Sequence, residues 1–183
     1  MRRMSLLLAL FATLSGPGCS SLPASSFVQE VDESTGESFT RAREPLRLTA
    51  LRPALSRVGK DYLFVAPVSV SGMGEPRNHL WFAFGSSVDR RITGTPLPLV
   101  NTIVLVVDDM PMTFDLVQWS DVASSEPFSI GVEYYSSYGT RITQSQLRRI
   151  ASATRLSAYV TNADYRSPAY ELVSGEYTAW SEF

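Results

Sequence analysis

Two neighbouring stretches decide the fold class: YLFVAPVSV at Tyr62–Val70 and HLWFAF at His79–Phe84. Both are dense in β-branched and aromatic residues, the side chains that suit a pleated surface. The second is almost continuously apolar, which predicts a strand buried on both faces. Pro67 predicts a bulge or an edge position within the first. The Gly- and Pro-rich segment SGMGEP at 71–76 reads as the connection of a hairpin.

The same grammar continues outward. TIVLVV at Thr102–Val107 is a further β-branched run, and Asp108-Asp109-Met110-Pro111 has turn composition. MTFDLVQW at 112–119 then alternates, with Met112, Phe114, Leu116 and Gln118 on one face, so the two runs form the clearest hairpin. FSIGVEY at 128–134 reads as a half-exposed strand. Leu156–Thr161, Ala169–Val173 and Glu176–Trp180 read as the last strands. Toward the N-terminus, Ser38–Ala42 and Leu46–Leu51 are short extended pieces, with a turn at Thr35-Gly36 before them. One segment is helical. Thr143 and Gln146 form a T-x-x-Q capping box, and Leu147, Ile150 and Ala151 fall on one stripe. The expected fold is mainly β (β-rich α+β), with antiparallel sandwich-like sheets and one amphipathic helix near 143–154.

Composition sets the bounds. The chain has 183 residues, 44% hydrophobic and 19% charged, which suits a single domain with an ordinary core. A formal net charge of -2 speaks against a nucleic-acid binder. One Cys and one His leave no material for a disulfide framework, a multi-Cys zinc site or a poly-His metal site. No cofactor or metal is expected.

The N-terminus carries its own signal. Arg2 and Arg3 precede the apolar run SLLLALFATL at Ser5–Leu14, and small residues follow up to Cys19. The run is short of the roughly 20 apolar residues that span a bilayer, so a secretory signal is expected in place of a membrane anchor. Met1 to Cys19 resembles a bacterial lipoprotein signal peptide. Gly18 before Cys19 fits that pattern, whereas Gly16 stands where such signals usually carry Leu, and Pro17 is uncommon at its place. The resemblance implies cleavage before Cys19 and fatty acyl chains such as palmitate on its thiol. It also implies an outer-membrane address, because Ser20 stands where Asp would hold a protein at the inner membrane. Several acyl chains make a firm anchor where one does not. The expected organisation is a signal peptide at 1–18, the lipidated Cys19 with a flexible tether at 19–30, and one β-rich domain at 31–183. SSLPASS at 20–26 has the composition of the tether. The domain itself loosely resembles small exported proteobacterial proteins of unassigned activity, through Thr35-Gly36, LWFAFGSSVDRR at 80–91 and the helix near 143–153. That resemblance implies no reaction and no site residues.

Few residues point to chemistry. Asp108, Asp109 and Asp115 lack the ligand spacing of a calcium loop. Asp108, Asp109, Asp121, Glu126 and Glu133 could supply the paired carboxylates of a glycan hydrolase, but nothing in the sequence pairs two of them. His79 could act as a general base, yet no G-x-S-x-G motif offers it a nucleophile, and a half-buried, hydrogen-bonded His is expected. Seven of the eight tyrosines lie from Tyr134 onward, with arginines among them. Exposed Tyr and Arg anchor partner surfaces, so Tyr134, Tyr135, Tyr138 and Arg141 are the expected partner-binding residues. The sequence therefore predicts a non-catalytic, membrane-tethered periplasmic lipoprotein that binds an envelope protein or polysaccharide. A carboxylate-dependent envelope hydrolase and a small-molecule carrier are the alternatives.

Overall fold

The computed structural model describes residues 26–51, 60–72, 76–87, 101–132, 135–162 and 165–183. The chain is mainly β, with one α-helix and one antiparallel sheet that curls into a nearly closed barrel. Its strands are β1 Phe27–Val31, β2 Ser38–Ala42, β3 Leu46–Leu51, β4 Lys60–Ser71, β5 Arg77–Ser86, β6 Thr102–Val107, β7 Met110–Asp115, β8 Val117–Gln118, β9 Tyr135–Arg141, β10 Leu156–Asn162, β11 Tyr165–Arg166 and β12 Tyr170–Ser174. The helix, α1, is Gln144–Ala151.

β4 and β5 form the spine. They pair without interruption from Asp61↔Ser86 to Val70↔Arg77. Side chains alternate across a strand, so each contributes to two cores. Leu63, Val65, Leu80, Phe82 and Phe84 face the barrel interior. Phe64, Ala66, Val68, Val70, Trp81 and Ala83 face a second, outer core. The expected double burial of His79–Phe84 is thus observed, and it extends to β4.

The sheet order around the barrel is β6, β10, β12, β3, β4, β5, β9 and β8. Closure comes from a single extended segment. β7 pairs with β6 over Met110–Asp115, and β8 pairs with β9 at Val117↔Gly139 and Gln118↔Tyr138. Only Leu116 separates the two strands, and its N–H donates to the Asn101 carbonyl at 2.8 Å. One stretch therefore touches both flanks of the sheet. Two residue pairs hold the far side, which is why the barrel is nearly and not fully closed. The β6–β7 turn is Asp108-Asp109, with φ of 48° and 66°. Two left-handed residues make the tight hairpin whose twist matches its strands.

The sandwich-like layering arises from one branched sheet and not from two separate sheets. β2 and β3 lie end to end along β4, at Ser38↔Ser71 to Arg41↔Val68 and at Leu46↔Val65 to Leu51↔Lys60. Between them Ala42–Pro45 breaks the ladder opposite Ala66 and Pro67. The irregularity that Pro67 announces thus falls in the neighbouring strand, where the missing N–H of Pro67 leaves no gap to fill. Beyond the break, β3 continues into β12 around the barrel, while β2 turns away with β1. The segment Trp119–Val132 completes the cover over the outer core, with Trp119, Ala123 and Phe128 buried in it.

α1 links β9 on one flank to β10 on the other. Its capping box is formed: the Thr143 side chain accepts from the Gln146 N–H, and the Gln146 side chain accepts from the Thr143 N–H at 2.9 Å. Leu147, Ile150 and Ala151 are buried in the inner core.

Three expectations are corrected. Phe128–Val132 is not a strand, because it serves as cover on the outer core and has no neighbouring strand to pair with; Glu133 and Tyr134 lie outside the described residues. Thr178–Glu182 is a 3-10 turn and not a strand, since Trp180 turns into the inner core. β1 begins at Phe27, so Phe27–Glu30 belong to the domain and not to the tether.

Gly175 closes the turn after β12 with φ of 110°. A Cβ there would lie 2.8 Å from Leu46 Cδ2 and 2.9 Å from Leu46 Cα, which is backbone and has little room to shift. Gly175→Ala is expected to cost more than about 1 kcal/mol, read as a lower urea midpoint with an unchanged slope. An unchanged midpoint would contradict this packing.

Candidate functional site

Several charged side chains meet on the outer face where the closing strand meets β5 and β9. Alternation sends Arg77 and His79 of β5 outward together with Trp81. Arg141 lies opposite His79, and Gly139 lies opposite both Trp81 and Val117. Asp115 stands two residues before Val117 and shares its face. The 3-10 turn Trp119–Asp121 then folds back over Gly139. Only glycine admits this approach: a Cβ at 139 would lie 3.0 Å from both the Trp119 ring and the Val122 side chain. The Trp119 indole N–H donates to the Ser125 carbonyl at 2.8 Å and fixes the ring.

The result is a surface groove of about 240 Å³, lined by Arg77, His79, Arg141, Asp115, Asp121 and Val117 among others. His79 is 5% exposed and meets the Trp119 ring edge-on at 6.3 Å. Its Nδ1 lies 2.9 Å from the Arg77 carbonyl oxygen. A carbonyl can only accept, so Nδ1 carries the proton, and the neutral ring keeps Nε2 as an acceptor. Burial pushes the imidazole below its ordinary value of 6.5; the bond to the Arg77 carbonyl opposes this, and the charges of Arg141 and Arg77 reinforce it.

The sequence-derived candidates separate on the structure. Tyr135 and Arg141 are exposed, both on the outer face of β9. They sit at opposite ends of that strand, roughly 20 Å apart at 3.4 Å per residue. Tyr138 is corrected: it points into the barrel, is 5% exposed and meets Phe84 edge-on at 5.8 Å. Tyr134 and the lipid candidate Cys19 lie outside the described residues. The tyrosine-rich half is no single surface, since Tyr170 is buried and Tyr159 lies under Arg166, 3.7 Å from ring centroid to guanidinium. What the sequence missed is Arg77 as a site residue. The i, i+2 pair Arg77 and His79 on one strand face was readable, but its meeting with Arg141 and Asp115 depends on register.

The carboxylates divide by role. Asp108 accepts from the Thr154 and Arg155 N–H groups at 2.8 Å each, and Asp109 pairs with Arg155, so the hairpin tip is a structural tie. Glu126 accepts from the buried Trp81 indole at 3.0 Å and from Ser137. Asp115 and Asp121 share the groove, but both are exposed, whereas a proton-donating carboxyl of a glycan hydrolase sits in a desolvated pocket. His79 has no serine or cysteine bonded to it among the described residues. No cluster of three or more metal-ligating side chains occurs among them. The arrangement suits binding of charged groups.

Compared with known proteins, the chain matches no family model, no curated protein and no solved structure.

The lowered pKa of His79 has a consequence for stability. Between the folded value and 6.5 the unfolded chain binds more protons than the folded one. The contribution is fully present above about 6.5 and is lost as pH falls toward the folded value. Urea midpoints from neutral to mildly acidic pH should therefore fall more steeply for the natural protein than for His79→Gln. Parallel curves would contradict the assignment.

Proposed function

We propose that the chain is a membrane-tethered lipoprotein of the bacterial periplasm whose β-barrel domain binds an envelope protein or polymer without catalysing a reaction. The observation that carries this reading is the place of the sole cysteine. Cys19 follows a basic start and a short apolar run, and the first strand begins at Phe27 after the Ser/Pro segment 20–26. Cleavage before Cys19 places its thiol at the new N-terminus, where acylation anchors the domain. Seven residues at no more than about 3.6 Å each keep the domain within roughly 25 Å of the lipid surface. Ser20 after the cysteine favours the outer membrane.

The interior of the barrel supports a binder that works through its surface. Leu46, Leu48, Leu63, Leu80, Phe82, Ile103, Leu105, Leu147 and Ile150 are all fully buried in one continuous cluster. A carrier of small apolar molecules needs a cavity at that place. The groove at His79 and Arg141 is the surface through which the domain engages its partner.

Intact mass and fractionation test the tether. The protein from native membranes is expected to show the mass of the chain cut before Cys19 plus acyl chains. Cys19→Ser is expected to leave the membrane fraction. Unchanged membrane retention of that variant, or a lipid-free mass, would overturn the reading.

A further inference from the structure

The groove on the outer face has walls of opposite sign. Arg77 and Arg141 come from the paired strands β5 and β9. Asp115 and Asp121 come from the closing segment that runs from β7 into the 3-10 turn. All four side chains line the groove, and all four residues are exposed. None of them forms an ion pair among the described residues. The lining charge therefore sums to zero, with its two signs supplied by different segments. A purely anionic or purely cationic ligand would meet as many repulsions as attractions. A ligand that carries both signs a short distance apart meets attractions only.

We propose that this groove is a subsite for a small zwitterion, a free dipeptide whose ammonium and carboxylate lie a short distance apart. Its carboxylate lies against Arg77 and Arg141, and its ammonium against Asp115 and Asp121. Two further features fit. Val117, 50% exposed, gives the groove an apolar wall for a small side chain. His79 offers a neutral acceptor at Nε2, because its Nδ1 is committed to the Arg77 carbonyl. At about 240 Å³ the groove is smaller than the roughly 300–1,000 Å³ pockets that take drug-sized ligands, which limits it to one or two residues.

The other surface hollows carry less. One of about 430 Å³ beside Asp109, Arg155 and Tyr177 has Asp109 paired with Arg155, and the Tyr177 hydroxyl donates to the Ala153 carbonyl. The one near Phe27 and Trp180, about 270 Å³, carries one arginine, Arg43, with Glu44 beside it in sequence and Glu176 from the turn after β12.

The assignment deepens the binding half of the proposed function and is independent of the tether, so Cys19 could lack lipid and the groove still bind. His79 is the sole histidine of the chain, and it supplies the readout. Full-length protein labelled with ¹⁵N at histidine is titrated in detergent micelles with free dialanine, N-acetyl-dialanine and dialanine amide. Free dialanine is expected to move the imidazole resonances saturably. It should also raise the ring's titration midpoint, because the bound carboxylate offsets the two arginines. Each cap removes one charged contact and should weaken binding about tenfold or more. Arg77→Gln and Arg141→Gln should abolish the shift without changing the circular dichroism, since both side chains are exposed. No saturable shift would overturn the proposal. Equal binding of a capped form would also overturn it, by showing a site for one sign of charge only. Membrane retention of Cys19→Ser is scored separately and bears on the tether alone.

Discussion

The structure depends on one constraint: the hairpin of β4 and β5 is apolar on both faces and must be covered on both. A strand pair of this kind cannot lie at a surface, because each buried Val, Leu or Phe is worth about 1.5–3 kcal/mol relative to exposure. The inner face is met by curling the sheet until β10, β12 and α1 close over it. The outer face is met by sending β1 and β2 off the barrel and by laying Trp119–Val132 across Trp81 and Ala83. The break at Ala42–Pro45 is what lets one sheet do both, since there the partner strand of β4 changes from the barrel branch to the cover branch.

Closure of the barrel and assembly of the groove are the same event. The segment that runs from Met110 to Gln118 joins the two flanks of the sheet and brings Asp115 and Val117 beside Arg141 and His79. Trp119 follows at once and is pinned on Gly139. Arg77, Arg141 and Asp115 thus stand on strands of the sheet, and Asp121 stands on the 3-10 turn that follows β8. In the proposed function the tether supplies location and the groove supplies selectivity.

Much of the fold was legible because local pattern and burial agree. The runs around Phe64 and Phe82, the capping box at Thr143 and the alternation from Met112 to Leu116 each encode their element directly. The misreadings share one physical cause. Phe128–Val132 and Glu176–Trp180 alternate like strands, but alternation only reports that every second side chain is buried, and a covering segment or a turned-in Trp180 meets that condition without a ladder. The neighbours of Tyr138 point to the surface, but the register sets it opposite Phe82 inside the barrel. The groove was the least legible feature. Arg77, Asp115 with Asp121, and Arg141 come from three separate stretches of sequence, and strand order together with the 3-10 turn brings them to one groove.

Native-state hydrogen exchange, resolved by residue, tests the central role of the β4–β5 hairpin most directly. The account predicts that the amides of Leu63–Ala66, Val68 and Leu80–Phe84 exchange last, only through global unfolding, while β1, β2 and the cover segment open earlier. Exchange of the hairpin amides at or before those of the outer branch would contradict it.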